Sequence, residues 1–125
     1  MKVKLLDIVS AYQVLPGIAS RKMPTKVSYA IGKNIRLVSQ EHQDYDKARI
    51  KILEDNWKYN DELGKYDIPD AEQKKWHDLH NELLETEIDF EPYLIEFAQI
   101  EDVEITPGEF AALWFIFKEP ISNPN

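Results

Sequence analysis

The chain has no cysteine, which removes disulfides, thiolate metal sites and cysteine nucleophiles together. It has four glycines in 125 residues, and neither a P-loop nor a dinucleotide-binding fingerprint occurs. Ser10, Ser20, Ser28 and Ser39 stand outside any nucleophile-elbow context. Long hydrophobic runs are missing too. The most apolar stretch, Phe110–Phe117, is eight residues, whereas a membrane span needs about 20. That stretch reads as a buried core helix, with an oligomer contact or an interfacial segment as alternatives. The opening residues "MKVKLLDIVSAYQVLPG" carry two lysines before an apolar run, but Asp7 interrupts it and no convincing cleavage site follows. A folded start is expected there, not a signal peptide.

Positive charge is the most telling shortage. No Lys or Arg occurs between Lys75 and Lys118, a gap that holds eleven Asp and Glu. Residues 1–54 carry ten Lys/Arg against five Asp/Glu, and residues 55–125 carry five against eighteen. The halves therefore differ in sign, +5 and −13, for a net charge of −8. Two readings stand side by side. The basic long helix (Lys26, Lys33, Arg36, Lys47, Arg49, Lys51) pairs with an acidic second helix across an antiparallel seam and fixes its register. Alternatively, acid left unpaired forms a face that steers a basic partner. Candidate residues for such a face are Glu87, Asp89, Glu91, Glu101, Asp102 and Glu104. Direct nucleic-acid binding is disfavoured, because phosphate contacts need concentrated Lys/Arg and "KARIK" is only a small basic patch. Mimicry of nucleic acid by carboxylates is physically allowed, but acid content does not establish it.

What is present points to a mainly helical α+β fold. Leu5, Ile8, Val9 and Tyr12 share a helical face, predicting a helix over 3–15 that Pro16-Gly17 ends or kinks. A short helical turn can follow through Lys22. Val27, Ile31, Asn34, Val38, Glu41, Tyr45, Ala48 and Ile52 recur at alternating four and three residues. This predicts a helix of about thirty residues, capped by Thr25 and long enough to need a packed partner. Gly32 marks a close approach or a bend. Trp57, Tyr59, Tyr66 and Ile68 flank the turn "NDELG" and predict a hairpin. Asp70 with Gln73 makes a capping-box-like start to a second helix of about 16 residues, antiparallel to the long one. Ile88 and Phe90, then Tyr93, Ile95 and Phe97, then Val103 and Ile105 predict short strands. Thr106, Pro107 and Glu109 are N-cap, first helical residue and capping-box partner of the final apolar helix. The expected domain spans 1–118, with 119–125 a frayed tail.

Candidate chemistry is thin. His77 and His80 lie three apart on the second helix and with Asp78 or Glu82 could hold a metal, but no third ligand sits at a telling distance. A packed or hydrogen-bonded role for His80 is the simpler reading, and His42 is expected to be exposed. Trp57, Tyr59, Tyr66 and Trp76 could line a pocket, although aromatic residues usually serve a core. No cofactor is called for.

"MKVKLLDIVSAYQVL", "MPTKVSYAIGKN" and "EDVEITPGEFAAL" resemble, over nearly the whole chain, a family of short uncharacterised proteins of phages and prophages of Gram-positive bacteria. The resemblance implies a viral origin and a setting in the host cytoplasm, without a mechanism. The departure is the aromatic ending "ALWFIF", which raises a second copy as a partner through Phe110, Trp114 and Phe117. The first expectation is a non-enzymatic protein that binds a host or phage protein, as an inhibitor of host defence or of another host function. The second is a structural or assembly component of the virion or its tail region, and a small enzyme or metal-binding protein is a distant third.

Overall fold

The computed structural model describes residues 1–118; the expected tail lies outside them. In chain order the elements are strand β1 (Lys2–Lys4), helix α1 (Leu5–Ala19), helix α2 (Thr25–Asn56), strands β2 (Lys58–Asn60) and β3 (Lys65–Asp67), helix α3 (Gln73–Leu84), strand β4 (Glu87–Asp89) and helix α4 (Pro107–Ala112). Single 3-10 turns lie at Asp70–Glu72, Phe97–Gln99 and Trp114–Ile116. The fold is α+β and mainly helical.

Helix α2 is the spine. Its 32 residues span about 48 Å at 1.5 Å per residue. The expected stripe is buried at Val27, Ile31, Asn34, Val38 and Tyr45, widened by Ala30 and joined at the far end by Leu53. Helix α1 packs along the first half and reaches just past its middle, where Tyr12 stacks on His42 at 3.8 Å. Helix α3 covers the second half. Tyr45 meets His80 and Trp57 meets Trp76, so α3 runs antiparallel to α2.

One contiguous core joins α1 (Ile8, Ala11, Leu15, Ile18) and the first half of α2 to Phe90, Ile95, Ile100 and Val103. Leu113, Phe115, Ile116 and Phe117 complete it. Each such fully buried aliphatic or aromatic side chain contributes about 1.5–3 kcal/mol.

Several expectations are corrected. Val3 starts no helix. It belongs to β1, which pairs antiparallel with β4 in the register Lys2↔Asp89, Val3↔Ile88, Lys4↔Glu87. Val3 faces the core, while Lys2 and Asp89 form a cross-strand ion pair at 3.0 Å. Helix α1 runs through Pro16-Gly17 to Ala19. Both residues are exposed, and fully buried Leu15 and Ile18 hold the last turn against the core.

Thr25 is the first helical residue of α2, not its cap; Pro24 precedes it and makes no side-chain cap bond. Gly32 has open space where a Cβ would sit, so no close approach requires it. Asp70 lies in a 3-10 turn without a capping bond, and α3 starts at Gln73 and has 12 residues.

The hairpin forms as expected, with Tyr59 opposite Tyr66. Asn60 Oδ1 accepts the N–H groups of Glu62 and Leu63 at 3.0 and 3.1 Å. Gly64 takes the left-handed conformation, φ 64°, that closes the turn. Of the later strands only Glu87–Asp89 exists; Tyr93–Phe97 is irregular apart from one bridge, and Val103–Ile105 is loop.

The final helix is also shorter than its apolar run. The cap at Thr106–Glu109 is as read, with Thr106 Oγ1 accepting the Glu109 N–H and Glu109 Oε1 accepting the Thr106 N–H. Yet α4 ends at Ala112, and Phe117 forms a parallel bridge with Ile95. Ile95 N–H donates to Ile116 O, and Lys118 N–H donates to Ile95 O, both at 2.9 Å. Trp114, Phe115 and Phe117 are poor helix formers, and that pairing takes the chain out of the helix.

Candidate functional site

The segment 91–105 has almost no regular structure, yet it is fixed at several points. Asn34, wholly buried in α2, donates from Nδ2 to Tyr93 O and accepts the Tyr93 N–H at Oδ1, both at 2.8 Å. The side-chain amide thus pairs with a backbone residue as a neighbouring strand would. Ile95 is held by the Phe117 bridge. Arg21 clamps the far end. Its guanidinium donates to both Glu109 carboxylate oxygens at 2.7 and 2.6 Å, and to Glu104 O at 2.6 Å. This bidentate bond and the Thr106 N–H hold the Glu109 carboxyl at a pKa of about 2.

On this framework Tyr93, Leu94 and Phe97 project outward, each at least 40% exposed. Tyr29 of α2, 60% exposed, meets Tyr93 edge-on at 5.6 Å. Tyr29, Tyr93 and Leu94, three of the seven exposed large hydrophobic side chains among the described residues, line one hollow. Phe97 rests its other face on Phe117 at 5.0 Å.

The six candidate carboxylates separate into two groups. Asp89 and Glu91 are neutralised, Asp89 by Lys2 at 3.0 Å and Glu91 by the Met1 amino group at 2.7 Å. The Lys2 ammonium also lowers the Asp89 pKa. Glu87 lies opposite Lys4 in the β ladder, although the Lys4 ammonium bonds Glu85 at 2.6 Å. Glu101, Asp102 and Glu104 are exposed and make no ion pair among the described residues. They lie just beyond Phe97 in the chain.

The seam between α2 and α3 is not held by charge. Among the described residues no ion pair joins the two helices; Arg49 bonds Asp46, Lys51 bonds Asp55, and Lys74 bonds Asp78, each within its own helix. Tyr45 Oη and His80 Nε2 at 2.6 Å, with Trp57 edge-on to Trp76, take that role. Among the described residues, four longer-range ion pairs instead join the N-terminal region to residues 85–109, and a fifth joins Lys118 to Glu96.

Phe117 is 1% exposed and Phe110 and Trp114 are half-buried. Trp114 Nε1 donates to buried Asp7 at 3.2 Å, and Asp7 also accepts the Lys4 N–H. Asp7 is thus an internal anchor. Phe117 offers no surface to a second copy, because Ile95 and the neighbouring rings already cover it.

The histidines are packed with aromatic rings. His80 stacks on Trp76 at 4.8 Å, and burial, Arg49 and His77 lower its pKa. His42, expected to be exposed, is half-buried between Tyr12 and Tyr45. A cleft of about 420 Å³ opens beside the hairpin, lined by Leu53, Tyr59, Tyr66 and Trp76 with Arg49 and Lys65. Trp57 does not line it; its indole N–H is bonded to Glu72 at 2.8 Å.

Sequence reasoning missed the Asn34–Tyr93 clamp, although a polar residue inside the buried stripe was its signal. It missed the outward display of Tyr93, Leu94 and Phe97 because alternation reads equally as strand. No family model matches this chain, no curated protein matches its sequence, and no solved structure matches its fold.

Proposed function

We propose that this is a non-enzymatic accessory protein that acts by binding another protein through segment 91–105. The observation that carries this reading is the coincidence of exposed Tyr93, Leu94 and Phe97 with the unpaired carboxylates of Glu101, Asp102 and Glu104 on one firmly held segment. Apolar anchors beside an unneutralised anionic rim suit a partner with a basic, partly apolar face. The scaffold is fixed before binding, so little ordering entropy is lost on association.

The resemblance to phage and prophage proteins extends this proposal to a host target in the cytoplasm, with inhibition of a host defence or other host protein as the outcome. Assembly into a virion or tail is the weaker proposal, since Phe117 is spent inside the chain.

The test is affinity capture during infection of a Gram-positive host with wild-type bait and with a Glu101→Lys/Asp102→Lys/Glu104→Lys bait. One or more host proteins bound by the first and lost from the second support the reading. Identical recoveries from both baits refute it.

A further inference from the structure

Residues 8–40 contain five Lys/Arg and no Asp or Glu. Arg21 is engaged by Glu109. Lys26, Lys33 and Arg36 have no carboxylate partner among the described residues. With Tyr29 they recur at intervals of three, four and three, which places all four on one face of α2. Beside this stripe a hollow of about 680 Å³ opens between α2 and segment 93–99, with Tyr29, Ala30, Tyr93 and Leu94 among its walls. Glu96 also lines it, but Lys118 bonds that carboxylate at 3.1 Å. A smaller hollow of about 260 Å³, bounded by Tyr29, Lys33 and Arg36, continues along the helix.

We propose that this groove is a second docking surface, of opposite charge to the first, that binds a short acidic peptide segment of a partner protein carrying an apolar anchor. The anchor enters the hollow beside Tyr29 and Tyr93, and the carboxylates lie along Lys26, Lys33 and Arg36. Lys26 to Arg36 spans about 15 Å of helix axis, which about five residues of extended peptide cover.

Length decides between peptide and nucleic acid. A single strand would use the tyrosines as stacking platforms. Its phosphates would then continue past the stripe into the field of a chain with net charge −8 and an acidic loop at 101–104. A short acidic motif ends where the cations end. The groove shares Tyr93 and Leu94 with the first surface but takes its charge from Lys26, Lys33 and Arg36 instead of Glu101, Asp102 and Glu104, so reversing one set of charges tests one surface while leaving the charges of the other in place.

The probe is a fluorescent short peptide of glutamates around one central tryptophan, followed by anisotropy with the full chain. Saturable binding that weakens as salt rises is expected. Lys33→Glu/Arg36→Glu should reduce affinity by about tenfold or more, and Tyr29→Ala several-fold, with helical circular dichroism unchanged. The triple reversal at Glu101, Asp102 and Glu104 should leave peptide binding intact or strengthen it. If the Glu pair fails to fold, Lys33→Gln/Arg36→Gln takes its place. Absence of saturable binding, equal affinity for wild type and charge variants, or tighter binding of an oligothymidylate strand than of the peptide overturns the proposal.

Discussion

Asn34 carries an amide donor and an amide acceptor, and Tyr93 uses both at 2.8 Å. Replacing the fully buried Asn34 by Ala leaves the Tyr93 backbone N–H and C=O without those partners. A loss of about 2–4 kcal/mol is expected, read from urea unfolding; a loss below about 0.5 kcal/mol would mean that the segment is held by other means.

Glu109 sets a pH dependence. Its folded pKa of about 2 lies below the ordinary 4.5. The stabilisation is therefore complete above about pH 5 and is lost as pH falls from 4.5 towards 2. Wild type should exceed Glu109→Gln in stability near neutrality, and the gap should close over that acid range. A gap that stays constant down to pH 2 contradicts the Arg21 pairing. At this scale the sequence was legible for the Thr106–Glu109 cap, whose partners are three residues apart. It was not legible for Asn34–Tyr93 or Asp7–Trp114, whose partners are 59 and 107 residues apart.

Elements repeat the pattern. Helix α2 and the hairpin were readable because seven-residue spacing and turn chemistry are local. Strand β1 was not, since three residues become a strand only when β4 arrives from position 87. The final apolar run was misread as one helix because its destination, the bridge to Ile95, is also non-local.

Pro16 sits within α1 on the exposed side, where it removes the N–H that would bond Tyr12 O. Pro16→Ala should stabilise the protein by about 1–3 kcal/mol, and a lowered melting temperature would show that the proline is needed at that turn. Gly32→Ala should add about 1 kcal/mol, because its Cβ enters open space; calorimetry of both variants reads these shifts.

Across the whole molecule the sequence disclosed the charge imbalance but not its placement. Composition cannot reveal that Lys2 and the Met1 amino group neutralise Asp89 and Glu91 while Glu101, Asp102 and Glu104 make no ion pair among the described residues. Nor can it reveal that the cations of the long helix leave its seam to Tyr45, His80 and the tryptophans. Along segment 91–105 the exposed apolar residues are followed in the chain by the anionic residues 101–104, and the cationic stripe of α2 runs beside Tyr29. Screening at high ionic strength should weaken association through either one.

The most direct measurement pairs a protein captured by the wild-type bait, purified, with wild type and with the Glu101→Lys/Asp102→Lys/Glu104→Lys variant across a salt series. Wild-type affinity should fall steeply with salt. The variant should unfold at the same temperature yet bind at least about tenfold more weakly at low salt. Equal affinities, or a wild-type affinity indifferent to salt, would contradict the account.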